Sequence, residues 1–280
     1  EDNGSFVTMR MHAWNPKLST RTGGIIWSLL TVLLVRKYIR TQGRPDLIHA
    51  HFATWAGYTA RLIYKWYKIP YVITEHASSI NGNQTTPSQA VILKKSYSEA
   101  RKIICVGTKL KRSLYPYIND LDKVTVIPNF VDTSTFKFSL HQTEKEKHFT
   151  FISTGNLNKR KGFRDLLVAF HRTFKEMPHV SLLIAGDGEE MQSLTEQIQS
   201  LQLQRQVKLT GRLSREELSE LLSTCDAFVL ASYAETFGIV FIEAMATGLP
   251  AIGTECGGPE DIITPKSGFL IPVSYTHLRA

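Results

Sequence analysis

Ala231-Ser-Tyr-Ala-Glu-Thr-Phe-Gly-Ile-Val-Phe-Ile-Glu-Ala-Met-Ala-Thr-Gly-Leu-Pro250 decides how this chain is read. The apolar run Ala227-Phe-Val-Leu-Ala231 leads into it, with the length and composition of a buried strand. A short polar loop carrying Glu235 and Gly238 passes into an apolar helix that stops at Gly248, with Pro250 just beyond. The order is strand, loop, helix N-terminus. In an open α/β sheet ligands bind at that end of the strands, and the free N–H groups of a helix N-terminus attract phosphate. Glu235 stands in the loop, and Glu243 stands in the helix among Ile239, Val240, Phe241, Ile242, Ala244 and Met245. An acid in such company is rarely buried without a partner. The pattern alone leaves two accounts open. One is a surface acid plus a helix acid capped or paired by a backbone group or an Arg. The other is two acceptors gripping the hydroxyls of a sugar and of a ribose, with loop amides holding phosphates between them.

Outward from this stretch, strands and helices alternate. Asp46-Leu-Ile-His-Ala50, Tyr71-Val-Ile-Thr74, Lys102-Ile-Ile-Cys-Val106 and Val124-Thr-Val-Ile-Pro128 read as strands, with helices over 22–42, to about Lys68, near 88–101 and from Thr108. Beyond a polar run at 139–148, the natural linker, come strands at 149–153, 180–185, 207–211, 251–254 and 268–272. Such alternation implies α/β architecture with parallel, doubly wound sheets. Thr154-Gly-Asn-Leu-Asn-Lys-Arg-Lys-Gly162 sets a glycine turn and a basic cluster at a helix start. This is a phosphate-shaped feature, or else a solvated basic loop, and it lacks the order of a Walker loop. Ser214-Arg-Glu-Glu217 is a capping box.

The chain has 280 residues, room for one large or two ordinary domains, with 42% hydrophobic and 21% charged residues, as in soluble globular proteins. Cys105, Cys225 and Cys256 are scattered and odd in number, which fits a reducing compartment better than a disulfide framework. The net charge of +8 is concentrated in the first half. A basic half suits nucleic acid, an anionic membrane surface or a lipid-phosphate acceptor, but no recognised nucleic-acid motif accompanies it. The apolar run Ile25–Val35 alone is too short to span a bilayer and reads as a core helix with one face near a membrane. His49 and His51 would share one strand face, but no further ligand stands at metal spacing.

Taken whole, Ser232-x-x-Glu235-Thr-Phe-Gly238 with Glu243-Ala-Met-Ala-Thr-Gly-Leu-Pro250 resembles the signature of retaining glycosyltransferase family 4, whose members have the GT-B fold. Ile69-Pro-Tyr-Val-Ile-Thr-Glu-His76 is similar to a first-domain segment of that family. Val126-Ile-Pro-Asn-Phe-Val-Asp132 resembles its hinge-proximal segment, with Phe130 where Gly is usual. The basic loop is similar to the family's Gly-Arg-Leu-x-x-x-Lys-Gly: Lys161 matches the Lys, and Asn156 stands in place of the Arg. The likeness runs with breaks from Asp46 to Pro272 and is dense from 151.

The resemblance implies two Rossmann-like domains facing a cleft. The expected bounds are 1–148 for an incomplete acceptor-side domain with its linker near 139–148, 149–273 for a nucleotide-sugar domain, and 274–280 for a tail off the family pattern; the chain would then be a fragment clipped at both ends. It also implies transfer of a sugar, with retention, from a nucleotide-diphosphate sugar to an acceptor hydroxyl in polysaccharide or glycolipid biosynthesis. By the same resemblance His76 and Glu235 are the catalytic candidates, His51 a weaker one. Arg160, Lys161, Phe237 and Gly238 would bind the donor diphosphate, and Glu243, Gly211 and Arg212 the ribose and base. Neither metal nor cofactor is expected, only a UDP- or GDP-sugar as co-substrate. The acceptor would be a sugar or lipid-linked, at a cytoplasmic site peripheral to the inner membrane face, with no nucleic-acid partner. A non-catalytic nucleotide-sugar binder and a GT-B sugar-nucleotide epimerase remain as alternatives.

Overall fold

Short β-branched runs separated by amphipathic helices fold here as two parallel α/β units. The computed structural model describes residues 8–11, 21–81, 85–138 and 148–273. Contacts divide the chain between Ile127 and Pro128. The expected linker therefore lies almost wholly outside the described residues, as does the tail 274–280. Phe136, expected in the first domain, is fully buried in the core of the second unit. That burial draws residues 128–138 into the second unit, although sequence placed the boundary beyond them.

In chain order the first unit contains α1 (Arg21–Gln42), β1 (Ile48–His51), a π-helical turn (Ala53–Gly57), α2 (Tyr58–Tyr67), β2 (Tyr71–Glu75), α3 (Ser78–Asn81), α4 (Pro87–Ser98), β3 (Lys102–Cys105), α5 (Thr108–Leu114) and β4 (Val124–Val126). The strands pair in parallel in the order β1-β2-β3-β4. Thr86 and Gln89 form a capping box that starts α4, with Pro87 in the first turn where its missing N–H costs nothing. Tyr71, Ile73, Tyr97, Ile103, Leu110 and Leu114 are fully buried between sheet and helices.

α1 packs through one stripe and exposes an apolar face. Gly24, Ser28 and Val32, four residues apart, are its buried stripe, while Ile25, Ile26, Leu29 and Leu33 are exposed. Small residues bring the helix close: a Cβ at Gly24 would meet the Trp55 ring at 2.0 Å. The helical segment Thr22–Gln42 is long and apolar enough to cross a membrane by length and composition, with 22% of its apolar window buried.

The second unit contains β5 (Phe149–Thr154), α6 (Phe163–Phe174), β6 (Val180–Ala185), α7 (Met191–Ser200), β7 (Val207–Gly211), α8 (Arg215–Leu222), β8 (Ala227–Leu230), α9 (Ile239–Ala246), β9 (Ala251–Thr254) and β10 (Gly268–Ile271). Its parallel sheet runs β10-β9-β8-β5-β6-β7. From β5 the chain winds one way through β6 and β7. It then returns to the other side of β5 and winds the opposite way through β8, β9 and β10. The loops that follow β5 and β8 thus diverge from adjacent strands, and such a reversal opens a crevice at the carboxyl ends of the strands.

Gly162 makes the close approach of those loops feasible. It precedes α6 in the left-handed region, φ 65°, and a Cβ there would lie 2.0 Å from the Ala231 carbonyl oxygen at the end of β8. Both effects oppose any side chain. Gly162→Ala is expected to destabilise the second unit by about 3 kcal/mol or more, read as a lowered urea midpoint at unchanged slope. Unchanged stability would show that the β5 and β8 loops do not pack this tightly.

Candidate functional site

The site grows from the loop after β5. Asn158 turns the chain by accepting a hydrogen bond from the Arg160 N–H at 3.1 Å, and a single 3-10 turn, Lys159–Lys161, follows. This turn sends its basic side chains in different directions. Arg160 and Lys159 line a shallow crevice of about 520 Å³ with Asn156, Asn158, Gly188 and Glu189. Lys161 instead reaches the loop after β8, where its Nζ lies 2.5 Å from Glu235 Oε1. The same carboxylate oxygen accepts from the Ser232 hydroxyl at 2.9 Å, and the Ser232 carbonyl accepts from Thr254 Oγ1 at 2.5 Å. Glu235 is 8% exposed, so this is a largely desolvated pair held by neighbours from β8 and β9. The Tyr233 N–H donates to the Arg160 carbonyl at 2.8 Å and ties the two loops a second time.

Past Glu235 the chain runs close under a neighbouring turn. Phe237 is buried, and a Cβ at Gly258 would lie 2.1 Å from its carbonyl oxygen. Gly238 then starts α9 with φ 95°, a conformation suited to glycine, and gives the helix no side-chain cap. The first N–H groups of α9 therefore take no hydrogen bond from a capping side chain.

A second crevice, of about 480 Å³, opens beside these loops. Thr154, Gly155 and Asn156 after β5, Ala185 to Gly188 after β6, Arg212 and Leu213 after β7, and Val240 on α9 line it. Gly211 precedes it with φ 77° and accepts from the Gly186 N–H at 2.8 Å. Glu243 follows Val240 by three residues and so shares its helix face. Its carboxyl is pushed above the ordinary 4.5 by burial, and Arg215 opposes that shift. The Arg215 guanidinium lies 3.9 Å from Glu243 Oε1 and over the Phe136 ring.

The structure therefore gathers Arg160, Lys161, Glu235, Phe237, Gly238, Gly211, Arg212 and Glu243 at the carboxyl edge of one sheet. His76 belongs to the other unit, where it follows β2. Its Nε2 lies 3.0 Å from His51 Nδ1, the two rings stack within 13°, and His49 Nε2 bonds Thr74 Oγ1 at 2.7 Å. Burial, then the neighbouring His51, lowers the His76 pKa below 6.5. Among the described residues no cluster of three or more His, Cys, Asp or Glu could hold a metal ion.

Sequence reasoning missed Ser232, Asp187 and Arg215 as members of the site. Arg215 was visible only as part of the Ser214 capping box, and nothing local marks it as a neighbour of Glu243. The raised carboxyl of Glu243 has a consequence for stability. Between 4.5 and its folded value, the folded chain holds a proton that the unfolded chain has released, so stability falls as pH rises through that interval. Glu243→Gln removes this loss. The variant is expected to melt with the wild type near pH 4 and above it at neutral pH, in scanning calorimetry across that range; a variant melting below the wild type at neutral pH would contradict it.

The sequence pattern of glycosyl transferases group 1 matches residues 136–278, and that of Glycosyltransferase Family 4 matches residues 10–135. N-acetyl-alpha-D-glucosaminyl L-malate synthase of Bacillus anthracis is 28% identical over 240 residues, 82% of this chain and 62% of its own length. Glycogen synthase of Mycobacterium tuberculosis is 28% identical over 234 residues, 80% of this chain and 56% of its own. The chain thus spans less than two thirds of these relatives. The crystal structure of Anabaena HepE in complex with UDP and glucose superposes with a TM-score of 0.73 at 22% identity, over 87% of this chain and 71% of that one. This shared fold is that of a GT-B glycosyltransferase, and since the match covers more than half its residues, the chain belongs to the glycosyl transferases group 1 family.

Proposed function

We propose that this chain transfers a sugar, with retention at the anomeric carbon, from a UDP-sugar to an acceptor hydroxyl. The observation that carries this is the pairing of the β5 and β8 loops through Lys161 and Glu235, with a crevice lined by Arg212 and by Val240, one helical turn before Glu243. In this reading the base lies by Gly211 and Arg212. The Glu243 carboxylate accepts from the ribose hydroxyls, and Glu235 accepts from hydroxyls of the transferred sugar. The diphosphate meets Arg160, Lys161 and the amides near Phe237 and Gly238. A fixed positive environment of this kind stabilises charge that grows on the leaving group, so no divalent ion is needed.

The anomeric carbon separates from the β-phosphate oxygen through an oxocarbenium-like state. The acceptor oxygen bonds to the same face, and its proton passes to the departing phosphate. His76 of the first unit is assigned to the reacting sugar. UDP is preferred over GDP because Anabaena HepE, of the same fold, was solved with UDP and glucose.

The exposed apolar face of α1 supports a lipid-linked acceptor. Ile25, Ile26, Leu29 and Leu33 stand on the helix that also carries exposed Arg36, Lys37 and Arg40, a combination suited to an anionic membrane surface on the cytoplasmic side.

Melting curves with UDP, GDP and ADP, each with EDTA, test the donor site. At a hundred times its Kd a nucleotide stabilises a protein by about 2.7 kcal/mol. UDP alone is expected to raise the melting temperature, with EDTA present, and Glu243→Ala is expected to abolish the rise. No response to any nucleotide would remove the basis for the donor site, and a response that EDTA abolishes would replace the metal-free reading.

A further inference from the structure

The first unit holds a carboxylate that the chemistry above does not use. Glu75 ends β2 and is fully buried. Its Oε1 accepts from the backbone N–H groups of His76, at 3.0 Å, and Ala77, at 2.9 Å. Its Oε2 accepts from the Ala53 N–H at 3.0 Å and from the Tyr97 hydroxyl at 2.7 Å. Four donors match the four acceptor sites of an ionised carboxylate, which would otherwise be costly to bury.

These donors come from separate parts of the unit. His76 and Ala77 lead away from β2, Ala53 opens the π-helical turn after β1, and Tyr97 belongs to α4. The two backbone segments are the ones that carry the facing histidines. His51 ends β1 and is followed by Phe52, whose φ of 70° is rare for an aromatic residue and whose ring lies 5.4 Å from that of His76. Ala53, the next residue, is where Glu75 takes hold. The carboxylate therefore fastens the chain just beyond His51 and just beyond β2 to one rigid point.

We propose that Glu75 is a positioning residue that holds His51 against His76, so that His76 Nε2 is engaged and its Nδ1 is the ring nitrogen offered to other partners. Two facing ring nitrogens 3.0 Å apart share a single proton, one donating and the other accepting. The contact therefore couples the tautomer of His76 to that of His51, since whichever ring donates, the other must present a lone pair. This assignment rests on the reading that gives His76 a role at the transferred sugar, but the histidine pair can be observed without turnover.

The carboxylate's two oxygens make the role separable from simple stabilisation. In Glu75→Gln only one oxygen remains, so either the His76–Ala77 pair or the Ala53 N–H faces an amide NH2 and loses its anchor. Tyr97→Phe removes one bond to Oε2 but leaves every backbone anchor in place. Histidine ring N–H spectra of the full chain, labelled with nitrogen-15, are the measurement. A proton correlated with both His51 and His76 is expected in the wild type and in Tyr97→Phe. It is expected to be lost in Glu75→Gln, and also in Glu75→Asp, whose shorter side chain cannot reach both segments.

A folded Glu75→Gln that keeps the shared proton would overturn the proposal, as would its loss in Tyr97→Phe. UDP-glucose hydrolysis then separates the two claims. Glu75→Gln and His76→Ala are each expected to lower kcat about 100-fold with KM nearly unchanged. If the shared proton disappears from Glu75→Gln while both variants turn over normally, Glu75 still positions the pair and it is the role of His76 that fails.

Discussion

The contact between Lys161 Nζ and Glu235 Oε1 joins two loops that the winding of the sheet would otherwise separate. β5 and β8 are neighbours, yet their following helices leave in opposite senses, so nothing in the sheet itself holds their loops together. The pair is largely desolvated, and removing one partner of a buried pair leaves an uncompensated charge that costs about 3–5 kcal/mol. That asymmetry keeps the loops in register.

The first unit buries an acid by a different route. Glu75 is held by three backbone N–H groups and a phenol. An ion pair on flexible side chains can exchange partners, as a ligand site requires. Backbone donors cannot move without moving the chain, so a carboxylate held by them fixes geometry. The phenol shares in this: burial, and then contact with the Glu75 carboxylate, push the Tyr97 hydroxyl well above 10, so it stays a donor.

Much of the fold was legible because local signals agreed. The strands Val180–Ala185 and Val207–Gly211, the Ser214 capping box and the stop of α9 before Gly248 follow from apolar runs and turn residues that neighbouring structure does not override. The Glu235 loop, the helix that carries Glu243 and the basic turn stood out as a candidate site because phosphate-shaped backbone leaves a local trace. What sequence could not carry is distance across the sheet. It did not show that Lys161 would turn to Glu235 while Arg160 turned to the crevice beside Asn156, since Asn156, Arg160 and Lys161 are simply polar residues of one loop. It did not show that Arg215 would stand by Glu243, or that Phe136 would belong to the second core. In α1 the sequence did not show which apolar residues would pack: Val32, Val35 and Ile39 join Ile63 and Ile69, while Ile25, Ile26, Leu29 and Leu33 are exposed, and the close approach at Gly24 has no hydrophobic signature.

Several places where local rules are broken lie together in the second unit. α9 begins at a left-handed glycine without a capping side chain, and its one acid sits among apolar residues. Burial raises the pKa of that acid although Arg215 stands nearby, so the guanidinium, 3.9 Å away, does not cancel the desolvation of Glu243. Gly162 and Gly258 hold chain crossings that a Cβ would block. Each feature lowers stability or narrows the permitted sequence, and none improves packing. A fold under selection for stability alone would cap the helix, replace Glu243 with an apolar residue and relax the crossings. These features stand at the carboxyl edge of one sheet, where strand order reverses, the position at which open α/β sheets in general bind ligands.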